Sequence, residues 1–411
     1  MAEARLVQTA RVKAPGRKDH VTMTTRTRWI VLLVSTPVVA FVVIGSLLGR
    51  TLASQGAYEH LRVFEDVVSL VTQNYVEPVN VDKVMSGAMR GLADGLDADS
   101  TYLTPDQVRT FEAERVAAAG TTGLDLTRGY YLRVVSARDG SPAARAGLRT
   151  GDYVRAINGA PTRNMSTLEG MRLLRGAVGS KVTLTVLRGS ATDPRDIPLV
   201  REAPPANDVT SKVQTAGIGY VRVAAFTAGA AGRLEQAVAQ LARGGADSVI
   251  VDLRDTAEGR LEEGIAAARP FVPAGKTLST RETKAGKDTA VTTSPSDGKV
   301  TTPLVLLTTN GTSGAAELFA AALLDNKRAT LVGEHTLGRA GVQKLVKLPD
   351  GSALYMTYAR YLGPSGASIH GTGLTPTVDV EQPEHEFGAA PPTNDPILEK
   401  ALEQVQVKKA A

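Results

Sequence analysis

The spacing of apolar positions changes along the chain, and each change marks a different kind of element. Trp29–Leu48 is a run of twenty residues without a charge, long enough to cross a bilayer as a helix. From Tyr58 the positions Leu61, Phe64, Val67, Val68, Val71 and Tyr75 repeat at helical spacing; after Glu77-Pro78 a second helical run uses Val84, Met85, Ala88, Met89, Leu92 and Leu96. Thr104 caps, and Pro105 opens, a third helix to about Ala118. Short strands and turns then take over across Thr121–Val200, with a helix at Met165–Leu174 and a strand at Lys181–Arg188. Arg201–Asp208 reads as a proline-bearing linker. Beyond it Gly217–Val223 predicts a strand, Ala230–Arg243 a helix and Ser248–Leu253 a buried strand, the alternation of an α/β core. Lys276–Lys299 is polar and reads as a loop or mobile hairpin. Leu304–Leu307 is a buried strand that passes through Asn310-Gly311-Thr312 into an apolar helix, and Gln343–Leu348 with Ala353–Tyr361 makes a hairpin around Asp350-Gly351. Asp395 caps a last helix that begins at Pro396.

These elements give an α/β multi-domain protein. Its parts are a tail (1–28), a transmembrane anchor (29–49), a helical arm (55–118), a β-rich module (119–202), an α/β core (209–382) and a C-terminal helix (393–411). Charge settles which way the anchor faces. Residues 1–28 hold seven basic and two acidic side chains, and outside them the two kinds balance at 40 each. The positive-inside rule therefore predicts a single-pass cell-membrane protein, N-terminus cytoplasmic, with the bulk extracytoplasmic, either periplasmic or external. A cleaved signal peptide ending near Thr51-Leu52-Ala53 is the alternative, although its apolar region would be unusually long. Met23 is a second candidate start. With a neutral body, the pI of 9.3 gives no reason to expect nucleic acid. The absence of cysteine excludes disulfides and thiol nucleophiles, and His20, His60, His335, His370 and His385 show no metal-ligand spacing, so no metal or other cofactor is expected.

The junction after Leu304–Leu307 aims free backbone N–H groups and a positive helix end at whatever lies in front of it. Here the chain, TTNGTSGAAELF followed by GRAGVQ, resembles the carboxyl-terminal processing peptidases, or tail-specific proteases, which are serine endopeptidases. Their junction runs G-S-A-S-A-S-E, with the middle serine as nucleophile; a lysine in F-G-K-G-x-V-Q is the general base and the following glutamine orients it. On that frame Gly314 holds the nucleophile position, Arg339 the base position and Gln343 the orienting one. The segment GLDADSTYLTP resembles the family's L-D-x-x-S-x-Y-L-T-P, and GPSGASIHGTGLTPTVDV its closing P-S-G-x-S-I-x-G-x-G-x-x-P, which leaves His370 a structural role. Where the family reads D-L-R-x-N-x-G-G beside the oxyanion hole, this chain has Glu258 and then Gly259. A side chain at Glu258 is expected to strain the backbone if φ is positive there, and its carboxylate to oppose an oxyanion.

The module resembles a PDZ domain through Ala146-Gly147-Leu148-Arg149-Thr150-Gly151-Asp152 and Ile157-Asn158-Gly159. The resemblance puts capture of a peptide carboxylate on Thr122, Gly123 and Leu124, with the strand Leu124–Leu126 pairing to the ligand, a purely structural module being the alternative. The family's first loop glycine is Thr121 here.

Two replacements matter chemically. Glycine has no oxygen to attack a carbonyl, and a guanidinium stays protonated and cannot act as a base. The leading expectation is therefore an inactive homologue that binds protein C-termini or partner proteins. The alternative is an active serine endopeptidase with a shifted pair, Ser313 and His335, although Ser313 and Thr312 read more simply as helix caps. A third expectation is that Arg339 and the N–H groups near Gly314 and Ala315 grip a peptide carboxylate. The partners expected are protein or peptide C-termini and, through the anchor, the membrane; the residues neither require nor exclude a homo-oligomer.

Overall fold

Thr104 ends one element and begins the next. In a computed structural model of the chain, which describes residues 59–114, 119–189, 193–215, 217–383 and 394–410, Thr104 and Gln107 cap each other reciprocally. The Gln107 side chain accepts from Thr104 N at 3.0 Å and the Thr104 hydroxyl from Gln107 N at 3.4 Å. This opens α3 (Pro105–Glu114), which follows α1 (59–74), α2 (Val81–Asp94) and β1 (Thr101–Leu103). The expected end of α3 at Ala118 and the expected anchor Trp29–Leu48 lie outside the described residues. Among those described, no helix is long and apolar enough to cross a membrane. By internal packing the chain divides near Val84, and the body from Met85 onward carries the elements that position the site.

In the first module, β2 (Leu124–Arg128), β3 (Leu132–Ala137), β4 (Tyr153–Ile157), β5 (Ala160–Pro161), β6 (Lys181–Leu187) and β7 (Arg195–Val200) make an antiparallel sheet. Its order is β2-β3-β4-β6-β7, with β5 on β4, so β2 is an edge strand. Strict alternation in β6 buries Val182, Leu184 and Val186. Two helices complete it, the short α4 (Pro142–Arg145) and α5 (Thr167–Leu174). The second starts later than Met165 because Ser166 takes the N-cap, its Oγ accepting from Glu169 N at 3.1 Å.

The core follows with β8 (Val209–Thr215), β9 (Ile218–Val223), α6 (Ala230–Arg243), β10 (Ser248–Asp252), α7 (Leu261–Ala268), β11 (Thr277–Thr283), β12 (Gly286–Lys287), β13 (Val291–Thr292), β14 (Leu304–Thr308), α8 (Ala315–Asp325), β15 (Ala329–Gly333), β16 (Gly341–Lys347), β17 (Ala353–Leu362), β18 (Val378–Asp379) and α9 (Pro396–Ala410). A six-stranded sheet runs β18-β15-β14-β10-β9-β8, parallel except for the edge strand β8. Every residue of β10 and β14 is buried, as expected for central parallel strands covered on both faces. One face packs Val221, Val251 and Leu306 with α6, α7 and α8; the other packs Ile250, Val305 and Leu307 with Ile397 and Ala401 of α9.

Helix α8 is almost wholly enclosed, and α7 lies directly on its first turn. An ideal Cβ on Gly264 would stand 2.0 Å from Ala315 O, so only glycine permits this approach. The site backbone is thereby fixed from behind.

A third sheet runs β1-β17-β11-β12, with β13 on β11 and β16 on β17. It corrects two expectations. The arm is not all helix, since β1 pairs antiparallel with β17, Thr101 opposite Tyr355. Nor is Lys276–Lys299 a loop: it holds the β11–β12 hairpin, the other form expected, and β11 is tied into the sheet by pairing with β17 over Thr280–Thr283. Its polar composition misled because one face of an antiparallel strand can remain in water.

Candidate active site

The site gathers where β10, β14 and β15 end, in the loops Leu253–Gly259, Thr309–Gly314 and Glu334–Ala340. Short polar side chains tie the first two together. Asp255 Oδ1 accepts from Thr309 Oγ1 at 2.9 Å and from Thr150 Oγ1 of the PDZ-like module at 2.8 Å. Thr312 Oγ1 accepts from Thr309 N at 3.0 Å and donates to Leu253 O at 2.8 Å.

Gly314 sits at the sharp turn into α8 with φ 63° and ψ −117°, a conformation sparsely populated by residues with a side chain. An ideal Cβ there would meet nothing nearer than Arg339 O and Leu261 Cδ2, both at 3.7 Å. The turn therefore presents its side-chain position in the way a nucleophile elbow does, with no side chain on it.

Below the turn lies the buried carboxylate of Glu317. It accepts from Gly314 N at 2.9 Å, Gly338 N at 2.6 Å and Arg339 N at 2.7 Å, and from Thr336 Oγ1. Burial pushes this carboxyl above its ordinary range against the pull of those donors. Glu317 thus fixes the nucleophile position relative to the base position through backbone alone.

Arg339 is held on every side. Its Nη2 lies 2.6 Å from Asp99 Oδ1, its Nε donates to Asp99 Oδ2 at 3.1 Å, and its Nη1 donates to Asp125 Oδ1 and, at 3.2 Å, to Leu126 O. Burial works against the charged guanidinium, but Asp125 and Asp99 more than offset it and its pKa stands above the ordinary arginine value. A proton acceptor is the one thing this group cannot be. Asp99 and Asp125 were not among the expected site residues. The one signal for them was that an arginine in a closed site must find carboxylates.

Other expectations need correction. The grip of Arg339 on a peptide carboxylate does not fit, because four of its five N–H donors already have partners in the chain. The shifted pair is not assembled: Ser313 Oγ is buried with no hydrogen-bond partner, whereas His335 is exposed and its Nδ1 lies 2.8 Å from its own neighbour's carbonyl, Thr336 O. Nor do Ser313 and Thr312 cap α8; the N-cap residue is Gly314, and Glu317 satisfies its N–H. Glu258 is not among the residues with positive φ, while Gly259 has φ 149°, and the Glu258 carboxylate pairs at 2.9 Å with the buried Arg138. Gln343 donates to Thr357 Oγ1 at 3.1 Å. In the PDZ-like module Leu124 and Leu126 point into its core, Thr122 is buried, and Gly123 N–H is taken by Thr121 Oγ1 at 3.0 Å. His370 Nε2 lies 3.8 Å from Asp97 Oδ2, between the arm and the closing segment.

Comparison with known proteins agrees with this architecture. The profile of Peptidase family S41 matches residues 217–380 and that of a PDZ domain residues 133–188. The carboxy-terminal-processing protease of Bartonella bacilliformis is 30% identical over 80% of this chain and 77% of its own length. The carboxy-terminal processing protease CtpA of Bacillus subtilis is 32% identical over 83% of this chain and 73% of its own. Among solved structures, the photosystem II D1 C-terminal processing protease superposes with a TM-score of 0.64 at 27% identity, covering 77% of this chain and 92% of that one. Fold, motif frame and these relatives agree that the chain belongs to the carboxy-terminal processing proteases of peptidase family S41.

Proposed function

We propose that this chain is a catalytically inactive member of its family, anchored in the cell membrane by Trp29–Leu48 with its body outside the cytoplasm, where it binds protein C-termini or partner proteins. One observation carries the reading: the nucleophile position has no side-chain oxygen, and the base position is a guanidinium fixed between two carboxylates. The hydroxyl nearest in sequence, Ser313, is enclosed and has no histidine partner. Amide cleavage needs an attacking oxygen and a group that removes its proton. Anchoring rests on the uncharged run and the basic residues before it. Binding of C-termini rests on the PDZ fold with β2 at its edge.

The test is a purified preparation offered peptides with apolar tails and a fluorophosphonate probe. We expect no cleavage and no labelled serine. Labelling of Ser313, with activity that Ser313→Ala abolishes, overturns the proposal in favour of a shifted nucleophile.

A further inference from the structure

The outer edge of β2, where an added peptide strand would pair, is occupied by the protein itself. Val134 exchanges backbone hydrogen bonds with the β4 side, its N–H to Asp152 O and its carbonyl to Gly151 N. Leu126, opposite Val134, therefore turns its own N–H and carbonyl outward. That carbonyl accepts from Arg339, while Asp125 beside it pairs with the same guanidinium. The loop after α2 completes the cover. Arg128 of β2 donates to Asp94 O at 3.1 Å and Asp97 O at 2.9 Å, and Thr167 at the start of α5 donates to Ala98 O at 2.9 Å.

We propose that Arg339 occupies the place of a ligand's basic side chain, and that the PDZ-like module takes C-terminal peptides carrying arginine or lysine one or three residues before the terminal carboxylate. This rests on the reading that the module binds C-termini. Side chains alternate along a paired strand. A peptide antiparallel to β2 therefore sends its last and third-last side chains towards the module's core, on the face of Leu124 and Leu126. The second-last and fourth-last side chains lie on the face of Asp125. Seating the peptide displaces Arg339 from Leu126 O. Asp125, which is held by the same Nη1 and whose side chain is only 19% exposed, then loses its cation. A buried carboxylate without a counter-charge is strongly unfavourable, so a ligand that brings its own cation is selected over one that does not.

The experiment uses the full chain purified in detergent and fluorescent decapeptides ending in an apolar residue, with arginine or glutamine at the two positions named and a C-terminal amide as control. Wild type, Arg339→Gln and Asp125→Asn are compared by anisotropy, with circular dichroism to confirm folding. Asp125→Asn removes only one arm of the clasp and so remains informative if Arg339→Gln fails to fold. Arg339→Gln is expected to bind the arginine peptide about tenfold or more tighter than wild type does, and tighter than it binds the glutamine peptide. Asp125→Asn is expected to erase the preference for arginine. Equal affinity of wild type and Arg339→Gln for every peptide overturns the clasp, and equal affinity of Arg339→Gln for arginine and glutamine peptides overturns the ligand class. No carboxylate-dependent binding by any variant overturns the underlying reading as well, which distinguishes the two failures.

Discussion

Replacing Gly314 by serine and Arg339 by lysine supplies both missing groups, yet the structure predicts that the double variant stays nearly inert. The lysine would stand between Asp99 and Asp125, which now meet Arg339 at hydrogen-bond distance. An opposite charge this close raises the pKa of a cation by about 1–3 units. Burial works against a cation here, but the two carboxylates that more than offset it for Arg339 would likewise hold a lysine well above its ordinary range. At pH 8 a free amine would then be a rare species. Adding Asp99→Asn and Asp125→Asn removes both charges and should raise the cleavage rate about 100-fold or more. The assay is cleavage of an apolar-tailed peptide, followed by chromatography over pH 7–10, where the double variant should gain about tenfold per pH unit. Equal rates for the double and quadruple variants would refute the reasoning. Serine at φ 63° and ψ −117° also carries about 1–3 kcal/mol of backbone strain, visible as a melting temperature lower by roughly 3–8 °C.

Two further predictions concern the frame. Glu317→Ala leaves three buried backbone N–H groups without their acceptor and should destabilise the body by about 3–5 kcal/mol, measured by urea unfolding; a loss below about 1 kcal/mol would show that the carboxylate is not what joins the two loops. Asp97 is partly desolvated, which alone would raise its pKa, but His370, Thr357 and Ser100 around it hold the carboxyl well below its ordinary range. A depressed folded-state pKa stabilises above the unfolded value and is lost as pH falls through the folded one. The stability difference between wild type and Asp97→Asn should therefore be full at pH 6 and shrink from about pH 4 downward; a difference independent of pH over that range would sink the assignment.

Much local chemistry was readable from sequence, the caps expected at Thr312 and Ser313 excepted, and distant pairing was not. The Thr104 cap, the Asp395 cap on Leu398 N at 3.0 Å and the buried runs of β10 and β14 each depend on neighbours a few residues away. The strand β8 follows the proline-bearing linker with an exposed, mixed pattern, so periodicity gave it no apolar face to announce. Neither Asp99, 240 residues from Arg339, nor Asp125, 214 away, forms a motif with it. Their meeting depends on how arm, module and core pack, which no spacing encodes.

The glycine elbow also bears on what a hydroxyl at this turn would cost the fold. With no side chain at Gly314, a turn that would be strained in an enzyme is relaxed, and the arginine opposite has become a tie between three parts of the body. Installing a serine at this turn alone would give a variant less stable than this protein. Folding stability would thus oppose a side chain at this turn before any chemistry could reward it.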